Sequence, residues 1–459
     1  MRRFPNAAFA AVVALVAAVT LGVASTRHGA RQAAAAVVAE PADPPRDRAA
    51  EVRARDADIA LFEQRIAEDP SSAADRALVA ARYLRRARET GNFTDVNRAE
   101  DEAERSLALR EAHNEATWSV LASARMAQHD FVGALAAAQA RVADDPDDAG
   151  AKALEGEILL ELGRYDEASA RFSEVEHAPT SLSLAPRLAR WYEVTGHLDH
   201  AVLMARNTLR LAKRNDGLSD EQRAWFLMRV GDLEAKRGRG DVADSLYLAA
   251  LEVNPGDYRL LAARARLAAQ RGAWRDAIAA GETAITAQLE PGTLGVLRDA
   301  WLAVGDSAQG ASYAAAMMTS ALTQPGAIHR AWGLHLVEHG ERLGDVLARV
   351  RRELQTRHDV YGYDLEAWTL HTMGRDREAA QSMTRALRVG TEDAMLWYHA
   401  GIISASTGEY QAARDYLARA LALNPTFGVK QVAAARARLA TMPDESPSSV
   451  AVATPRSVR

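Results

Sequence analysis

The sequence contains no cysteine. This absence excludes disulfide bonds, thiolate metal sites, covalent haem attachment and a lipid-modified N-terminal cysteine. It does not identify a compartment, because an exported protein can fold without disulfides. Lysine is scarce as well, with four residues among 56 basic ones, and the formal net charge is -5. No basic run with interleaved aromatic residues occurs, so we expect no nucleic acid among the partners.

Long apolar runs are absent, with one exception at the N-terminus. Ala7–Ala24 is uncharged and almost wholly apolar, and it follows a basic head that contains Arg2 and Arg3. This run is long for a signal-peptide core and short for a membrane span, so residues 1–25 are predicted to be a signal peptide or an N-terminal membrane anchor. Both interpretations place the remaining chain outside the cytoplasm, in the periplasm or cell envelope. Residues 26–50 are predicted to be a flexible linker.

The common catalytic motifs are missing too. The sequence has no G-x-x-x-x-G-K-[ST] phosphate loop, no G-x-G-x-x-G dinucleotide motif, no G-x-S-x-G and no H-E-x-x-H. We therefore predict no catalytic residue, no metal ligand and no cofactor. A single globular core rarely exceeds about 250–300 residues. Because the chain has 459 residues, it must consist of several domains or of a repeat array.

Glycines recur along the chain at a nearly constant interval. The gaps between them are 33 to 35 residues, except for one gap of 42 that contains the polar stretch 211–220. Five places after these glycines, six of eight residues are alanine. The glycines are Gly163, Gly196, Gly238, Gly272, Gly305, Gly340, Gly374 and Gly408, and the alanines are Ala168, Ala201, Ala243, Ala277, Ala379 and Ala413.

This spacing predicts pairs of antiparallel helices. An apolar stretch of helical period precedes each glycine, which ends the first helix because glycine takes the left-handed backbone without a steric penalty. The alanine lies where the second helix crosses the first, and a larger side chain there would push the two helices apart. One pair cannot bury its apolar faces alone, so the pairs must stack on one another.

The period and its residues resemble the tetratricopeptide repeat. The best copy spans residues 396–425, and others span 118–146, 153–172 and 227–255. In the best copy Trp397, Gly401, Gly408, Tyr410, Ala413, Ala420 and Pro425 fall on the family's positions. The copies around Gly305 and Gly340 are degenerate, because Gly310 and Asp345 replace the alanine.

The chain resembles members of this family of the bacterial type, with an N-terminal signal or membrane anchor. This resemblance implies an all-α fold. We expect a right-handed superhelical solenoid of antiparallel helix pairs over residues 51–440, with about ten pairs and a C-terminal capping helix. Residues 441–459 are predicted to be a disordered tail.

One stretch, HLVEHG at residues 335–340, matches the inverted zinc-peptidase template H-x-x-E-H. His335 stands five residues before its glycine, a place that is mostly apolar in the other copies. A catalytic zinc site needs a third ligand and an open coordination position facing a cleft, which a hairpin turn does not plainly offer. We favour a structural role, and a metal-dependent hydrolase that uses His335, Glu338 and His339 is the alternative.

The family resemblance also implies that the first helices of the pairs line a concave groove, which takes an extended peptide or a helix of another protein. Offsets of 13, 10, 6, 3 and 2 residues before the glycine fall on one helical face. Aromatic residues and methionines there are typical interface anchors. The candidate groove residues are Trp225, Met228, Asp232, Tyr361, Asp364, Trp368, His371, Met395, Tyr398 and Ile402. The opposing interpretation is that Trp368 and Tyr398 pack against an adjacent repeat or fill a narrow superhelix.

The sequence as a whole predicts a non-enzymatic scaffold or adaptor, exported or membrane-anchored, that binds a partner protein or peptide in this groove. A cytosolic regulatory module of the same family is a further alternative, which holds if Ala7–Ala24 does not direct export. The sequence indicates neither the partner nor the oligomeric state, and it leaves open whether the N-terminal segment is cleaved.

Overall fold

The computed structural model describes residues 48–323 and 330–443. Within these ranges the regular secondary structure is 22 α-helices, so the predicted all-α fold is confirmed. The helices are α1 (Arg48–Glu68), α2 (Ala73–Thr90), α3 (Phe93–Leu109), α4 (Glu115–Ala127), α5 (Phe131–Asp144), α6 (Ala149–Glu161), α7 (Tyr165–Ser173), α8 (Ala185–Val194), α9 (Leu198–Lys213), α10 (Asp220–Lys236), α11 (Gly240–Val253), α12 (Tyr258–Gln270), α13 (Trp274–Ile285), α14 (Pro291–Ala303), α15 (Ser307–Thr323), α16 (Arg330–Glu338), α17 (Leu343–Glu353), α18 (Val360–Thr372), α19 (Asp376–Ala386), α20 (Ala394–Ser406), α21 (Tyr410–Leu423) and α22 (Val429–Thr441).

Consecutive helices pair as ten hairpins, which we number 1 (α2–α3) to 10 (α20–α21) in chain order. This agrees with the number of pairs expected from the glycine spacing. Helix α1 precedes the first hairpin, and α22 follows the last one and covers its open end with Val432 and Ala435. In the described ranges, every extensive helix–helix packing joins helices that are neighbours or next neighbours along the chain, as stacking requires.

The repeat glycines and alanines have the roles that their spacing predicts. All eight glycines have φ between +67° and +92°, and His129 takes the same conformation (φ +62°) at the turn of hairpin 2. The six alanines are completely buried, because each faces the first helix of its own hairpin. A side chain larger than alanine at these positions would separate the two helices.

Hairpin 8 departs from this register for a local reason. Its second helix, α17, begins three residues after Gly340, whereas the second helix of each other hairpin begins two residues after the turn residue. The added residue is Arg342, which has φ +50°. Because of this shift, Asp345 is exposed and Val346 is buried in its stead. The missing alanine therefore marks a longer turn rather than a lost hairpin.

The apolar core shows that the chain returns on itself. One cluster of buried side chains combines hairpins 1 to 4 with hairpins 7 to 10, while hairpins 5 and 6 contribute to separate clusters. Residues of the first cluster that are far apart in the chain must therefore meet across successive turns of the superhelix.

We call the line along which these turns meet the seam. At hairpin 3, the His358 N–H donates to Leu162 O over 2.9 Å. The corresponding contacts at hairpins 4 and 5 are Thr391 Oγ1 to Val194 O (2.5 Å) and Asn424 Nδ2 to Ala235 O (3.1 Å). Hairpins 3 and 4 thus contact the loops that precede hairpins 9 and 10, six hairpins further along the chain. Hairpin 5 contacts the loop before α22, which stands where an eleventh hairpin would begin. The solenoid therefore completes one superhelical turn in about six hairpins.

Several predicted segments lie outside the described residues. These are Ala7–Ala24, the linker up to residue 47 and the tail from residue 444. Helix α1 begins at Arg48, inside the range predicted as linker, and α22 ends at Thr441. No helix in the described part of the chain has the length and apolar character needed to cross a bilayer.

Candidate functional site

The concave faces of α8 and α10 meet the start of α20 at a group of ion pairs. Lys236 at the end of α10 donates from Nζ to Glu193 Oε1 on α8 over 3.0 Å. The same Nζ lies 3.5 Å from Asp393 Oδ2, and Asp393 also caps the N-terminus of α20 by accepting from the Met395 N–H. One lysine thus links the fourth and fifth hairpins to the tenth.

The group extends along the inside of the superhelix. Arg190 lies 3.0 Å from Glu161 and 3.2 Å from Glu193, and Arg357 lies 2.9 Å from Glu161 across the seam. We call these side chains the inner ion network, which consists of Glu161, Arg190, Glu193, Arg229, Lys236, Arg357 and Asp393. Arg190 and Arg229 keep 24% and 25% of their side-chain surface exposed, so they remain accessible to solvent.

The network fixes the charge state of its members. Burial opposes a charge on Lys236, but Tyr361, Glu193 and Asp393 outweigh it and raise the pKa of the ammonium group. Burial would likewise raise the pKa of Glu193, yet Lys236, Arg190 and Arg229 hold this pKa well below its usual range. Both groups are therefore charged over the physiological pH range, and each depends on the other for its compensation.

An aromatic group lies beside the network, on α18 and α20. The Arg330 guanidinium stands 3.7 Å from the centroid of the Tyr361 ring, and its Nη2 donates to Asp364 over 3.0 Å. Asp364 also pairs with His399 Nδ1 at 2.8 Å, and the His399 ring stacks on Trp368 with centroids 4.2 Å apart. Because a carboxylate only accepts hydrogen bonds, Nδ1 of His399 carries the proton.

The structure places the ten predicted groove residues in two groups. Trp225, Met228 and Asp232 lie on α10, and the other seven lie on α18 and α20. Asp364, Trp368 and Tyr398 are buried, and the remaining seven residues are half-buried. The half-buried members offer the partly accessible surface on this side of the superhelix.

Trp368 and Tyr398 pack against neighbouring repeats in this structure. Trp368 Nε1 donates to Glu338 on α16 over 3.1 Å, while Tyr398 contacts Trp368 on one side and Phe427 on the other. Burial and the nearby Glu338 raise the pKa of Tyr398 to about 12. His371, at 5.0 Å from Trp368, pairs with Asp376 at 2.6 Å.

The H-x-x-E-H stretch does not converge on one point. His335 Nδ1 and His339 Nε2 both face Asp299 on α14, at 3.2 and 2.6 Å. Glu338 faces α18 and α22, where it accepts from Trp368 and from Gln431 Nε2. The two imidazoles and Glu338 thus serve different contacts between helices.

Among the described residues, one group of three metal-ligating side chains lies close enough to hold an ion. It consists of His113, Glu115 and Asp144, whose ligand atoms lie within 4.8 Å of one another. The Asp144 carboxylate already accepts from the backbone N–H groups of His113 and Asn114, which holds the loop between α3 and α4 in place. These contacts account for the grouping without an ion.

The predicted groove residues include none of the seven members of the inner ion network, and they do not include Arg330 beside it. Arg190 and Arg330 stand 6 and 10 residues before their glycines, so the offset rule places them on the concave face. A preference for aromatic residues and methionines passed over them. Arg190 pairs with Glu161 of hairpin 3, while Arg357 and Asp393 come from the loops before hairpins 9 and 10. The pattern within one repeat contains no signal for such contacts.

A stack of helical hairpins with a polar and aromatic concave surface is an α-solenoid. A family model described as tetratricopeptide repeat matches residues 230–290 and 365–426, and a second model of this description matches residues 125–181. The chain is a tetratricopeptide repeat protein. Such repeats support a role in binding other proteins or peptides.

Two solved structures of a human protein resemble the chain. One is the human IFIT1 dimer with PPP-AAAA, at 14% identity and a TM-score of 0.48, covering 69% of this chain and 72% of that chain. The other is the human IFIT1 dimer with m7Gppp-AAAA, at 14% identity and a TM-score of 0.47, covering 69% and 71%. No curated protein matches the chain.

Proposed function

We propose that the protein is a non-enzymatic scaffold that holds a partner protein or peptide on its concave surface. The observation that supports this best is the half-buried surface around Tyr361, where Arg330 of α16 lies over the Tyr361 ring of α18 and Met395 lies on the adjacent helix α20. Arg330 keeps 28% of its side-chain surface, and Tyr361 and Met395 are half-buried. Arginine and tyrosine are enriched among the residues that dominate binding energies at protein interfaces.

The charge and polarity of this surface indicate the kind of partner that it would bind. Its charges are largely paired within the protein, as between Arg330 and Asp364, so no excess of one sign selects a strongly charged ligand. The accessible groups are hydrogen-bond donors next to apolar side chains. An extended peptide or an amphipathic helix, which combines polar groups with apolar anchors, fits this combination.

Site-specific crosslinking tests this proposal. A photoreactive diazirine side chain would replace Met395 on the concave surface of full-length protein in its own cells. The matched control carries the same group at Leu203, which is 57% exposed on α9, the outer helix of hairpin 4. We expect one discrete protein adduct from position 395 and none of that size from position 203. Equal adducts from both positions, or none from position 395, would contradict the proposal.

We further propose that the scaffold works outside the cytoplasm, because Ala7–Ala24 has the composition of an export signal or anchor. A reporter enzyme that is active only after export, fused after residue 50, tests this point. Activity is expected with the complete N-terminus and should be lost when residues 7–24 are deleted. No activity with the complete N-terminus would support the cytosolic alternative, and full activity in the deletion variant would show that residues 7–24 do not direct export.

A further inference from the structure

The seam is a regular feature and not a single accidental contact. Three successive hairpins make the same kind of contact, and the partners in these three contacts are separated by 189 to 197 residues in the chain. Side chains reinforce it, since Arg388 Nη2 donates to Gly163 O over 3.2 Å and Glu392 accepts from the Leu198 N–H over 3.0 Å. Tyr165 accepts from the Val360 N–H over 2.8 Å.

Glycine at the hairpin turns permits this close approach. A Cβ on Gly163 would overlap the backbone of His358, and a Cβ on Gly196 would overlap the carbonyl of Gly390. In contrast, a Cβ on Gly374 or Gly408 would meet nothing within 4 Å, although these glycines have the same left-handed conformation. The glycines of hairpins 3 and 4 therefore have two roles, one in the turn and one in the seam.

Less helix–helix packing holds the seam together than holds neighbouring hairpins together within one turn of the superhelix. In the described chain, no two helices on opposite sides of the seam pack extensively against each other. The contacts come instead from turns and loops, as single hydrogen bonds and ion pairs beside apolar side chains of the first core cluster. Such contacts exchange with water at a small net cost, so a seam of this kind opens more readily than a packed helix interface.

We propose that the seam is a reversible closure, and that the superhelix parts along it to admit the partner to the inner ion network. The network lies directly behind the seam, because Lys236 and Arg357 reach across it to Asp393 and Glu161. This inference builds on the proposed binding function, but the opening itself can be measured without any partner.

Distances between spin labels on the two sides of the seam test the opening. The labels would be attached to His200→Cys in α9 and Gln381→Cys in α19, because both natural residues are exposed and take part in none of the seam contacts above. The natural chain has no cysteine that would interfere. The distance distribution would be compared between Gly196→Ala and its matched control Gly374→Ala. Both variants place a Cβ on a residue with a left-handed backbone, which lowers stability, but only the Cβ of Gly196→Ala overlaps a residue across the seam.

We expect a second, longer distance in Gly196→Ala and an unchanged distribution in Gly374→Ala. A variant that leaves the turns intact, Arg388→Leu with Thr391→Val, removes two seam hydrogen bonds and should enlarge the open population about tenfold. This variant keeps the test valid if Gly196→Ala does not fold. Identical distributions in the control and in both seam variants would overturn the inference.

A covalent lock separates this inference from the proposed binding function. Cysteines in place of His197 and Glu392 flank the seam at hairpin 4, and a short bismaleimide would join them. The locked protein is expected to lose the partner adduct formed from position 395, and the unlinked double variant should keep it. An undiminished adduct in the locked protein would show that the partner enters without opening the seam. A protein that opens but forms no adduct would contradict the binding proposal alone.

Discussion

Lys236 joins parts of the chain that are far apart in the sequence. Its ammonium group compensates two carboxylates, Glu193 and Asp393, and also donates to the Tyr361 hydroxyl over 3.0 Å. Replacement by methionine keeps most of the side-chain volume but leaves both carboxylates without this cation. Because removing one partner of a buried ion pair typically costs about 3–5 kcal/mol, and Lys236 is 15% exposed, we expect Lys236→Met to cost about 2–4 kcal/mol.

Thermal unfolding followed by circular dichroism would measure this effect. The matched control is Lys430→Met, since Lys430 is exposed on α22. The control should unfold within about 1 °C of the natural protein, because surface substitutions usually change stability by less than 0.5 kcal/mol. Equal melting temperatures for the two variants would mean that the ion pairs around Lys236 contribute little net stability.

The depressed pKa of Glu193 predicts a particular dependence on pH. A carboxylate whose pKa is lower in the folded protein than in the unfolded chain stabilises the fold above its ordinary pKa of 4.5, and this stabilisation is lost as the pH falls below that value. The natural protein should therefore melt at a higher temperature than Glu193→Gln at pH 7, by a margin that is constant down to about pH 5.

Below about pH 4.5 this margin should shrink, because Glu193 then binds a proton in the unfolded chain but not in the folded protein, which favours unfolding. Melting curves of the two proteins between pH 3 and pH 7 would show the change. Glu111→Gln, at an exposed position on the loop after α3, serves as the control and should differ little from the natural protein at any pH. A margin that widens in acid would contradict the assigned role of Glu193.

Each hairpin uses one small residue to set the distance between its two helices. Ala413 illustrates this in hairpin 10, where it is completely buried and its carbonyl oxygen lies 3.2 Å from the place of a Cβ on Gly401. Leucine at position 413 would force α20 and α21 apart. Since overpacking a core typically costs about 1–3 kcal/mol, we expect Ala413→Leu to lower the melting temperature by several degrees.

Asp345 provides the matched control for this prediction, because it occupies the same place in the sequence register of hairpin 8. The added turn residue Arg342 leaves Asp345 exposed, so Asp345→Leu should be nearly neutral, apart from the weak ion pair with Arg342. If both leucine variants lost the same stability, the shifted register of hairpin 8 would be wrong.

The hairpins were predictable from sequence because each is built by local rules. Glycine at a left-handed turn and alanine at a helix crossing are choices that involve residues a few places apart. The shift in hairpin 8 was not predictable in the same way. Arginine rarely takes a left-handed conformation, and nothing in its immediate sequence indicates that Arg342 does so.

The superhelical closure belongs to the scale of the whole molecule. Small rotations between successive hairpins accumulate over six repeats, and only their sum decides whether two turns meet. A change of a few degrees per repeat would separate Gly163 from His358 entirely. The seam and the ion network behind it therefore depend on a quantity that no single repeat encodes, which is why the cross-seam contacts of Arg357 and Asp393 were not predicted.

Closure also changes how a local perturbation spreads. In an open solenoid, a destabilised hairpin affects its immediate neighbours and little else. Phe172 is completely buried in hairpin 3, where its ring covers Gly156, and Phe172→Leu should cost about 1–2 kcal/mol. Because hairpin 3 touches the loop before hairpin 9 across the seam, this loop and the start of α18 should lose protection as well.

Hydrogen exchange followed by mass spectrometry would resolve this pattern. Peptides from hairpins 2 to 4 and peptides covering residues 355–365 should exchange faster in Phe172→Leu, whereas peptides from hairpin 6 should be unchanged. In the background of Arg388→Leu with Thr391→Val, which removes two seam hydrogen bonds, the distant response should weaken while the local one persists. Faster exchange confined to hairpins 2 to 4 in the natural background would mean that the seam transmits no stability between the turns that it joins.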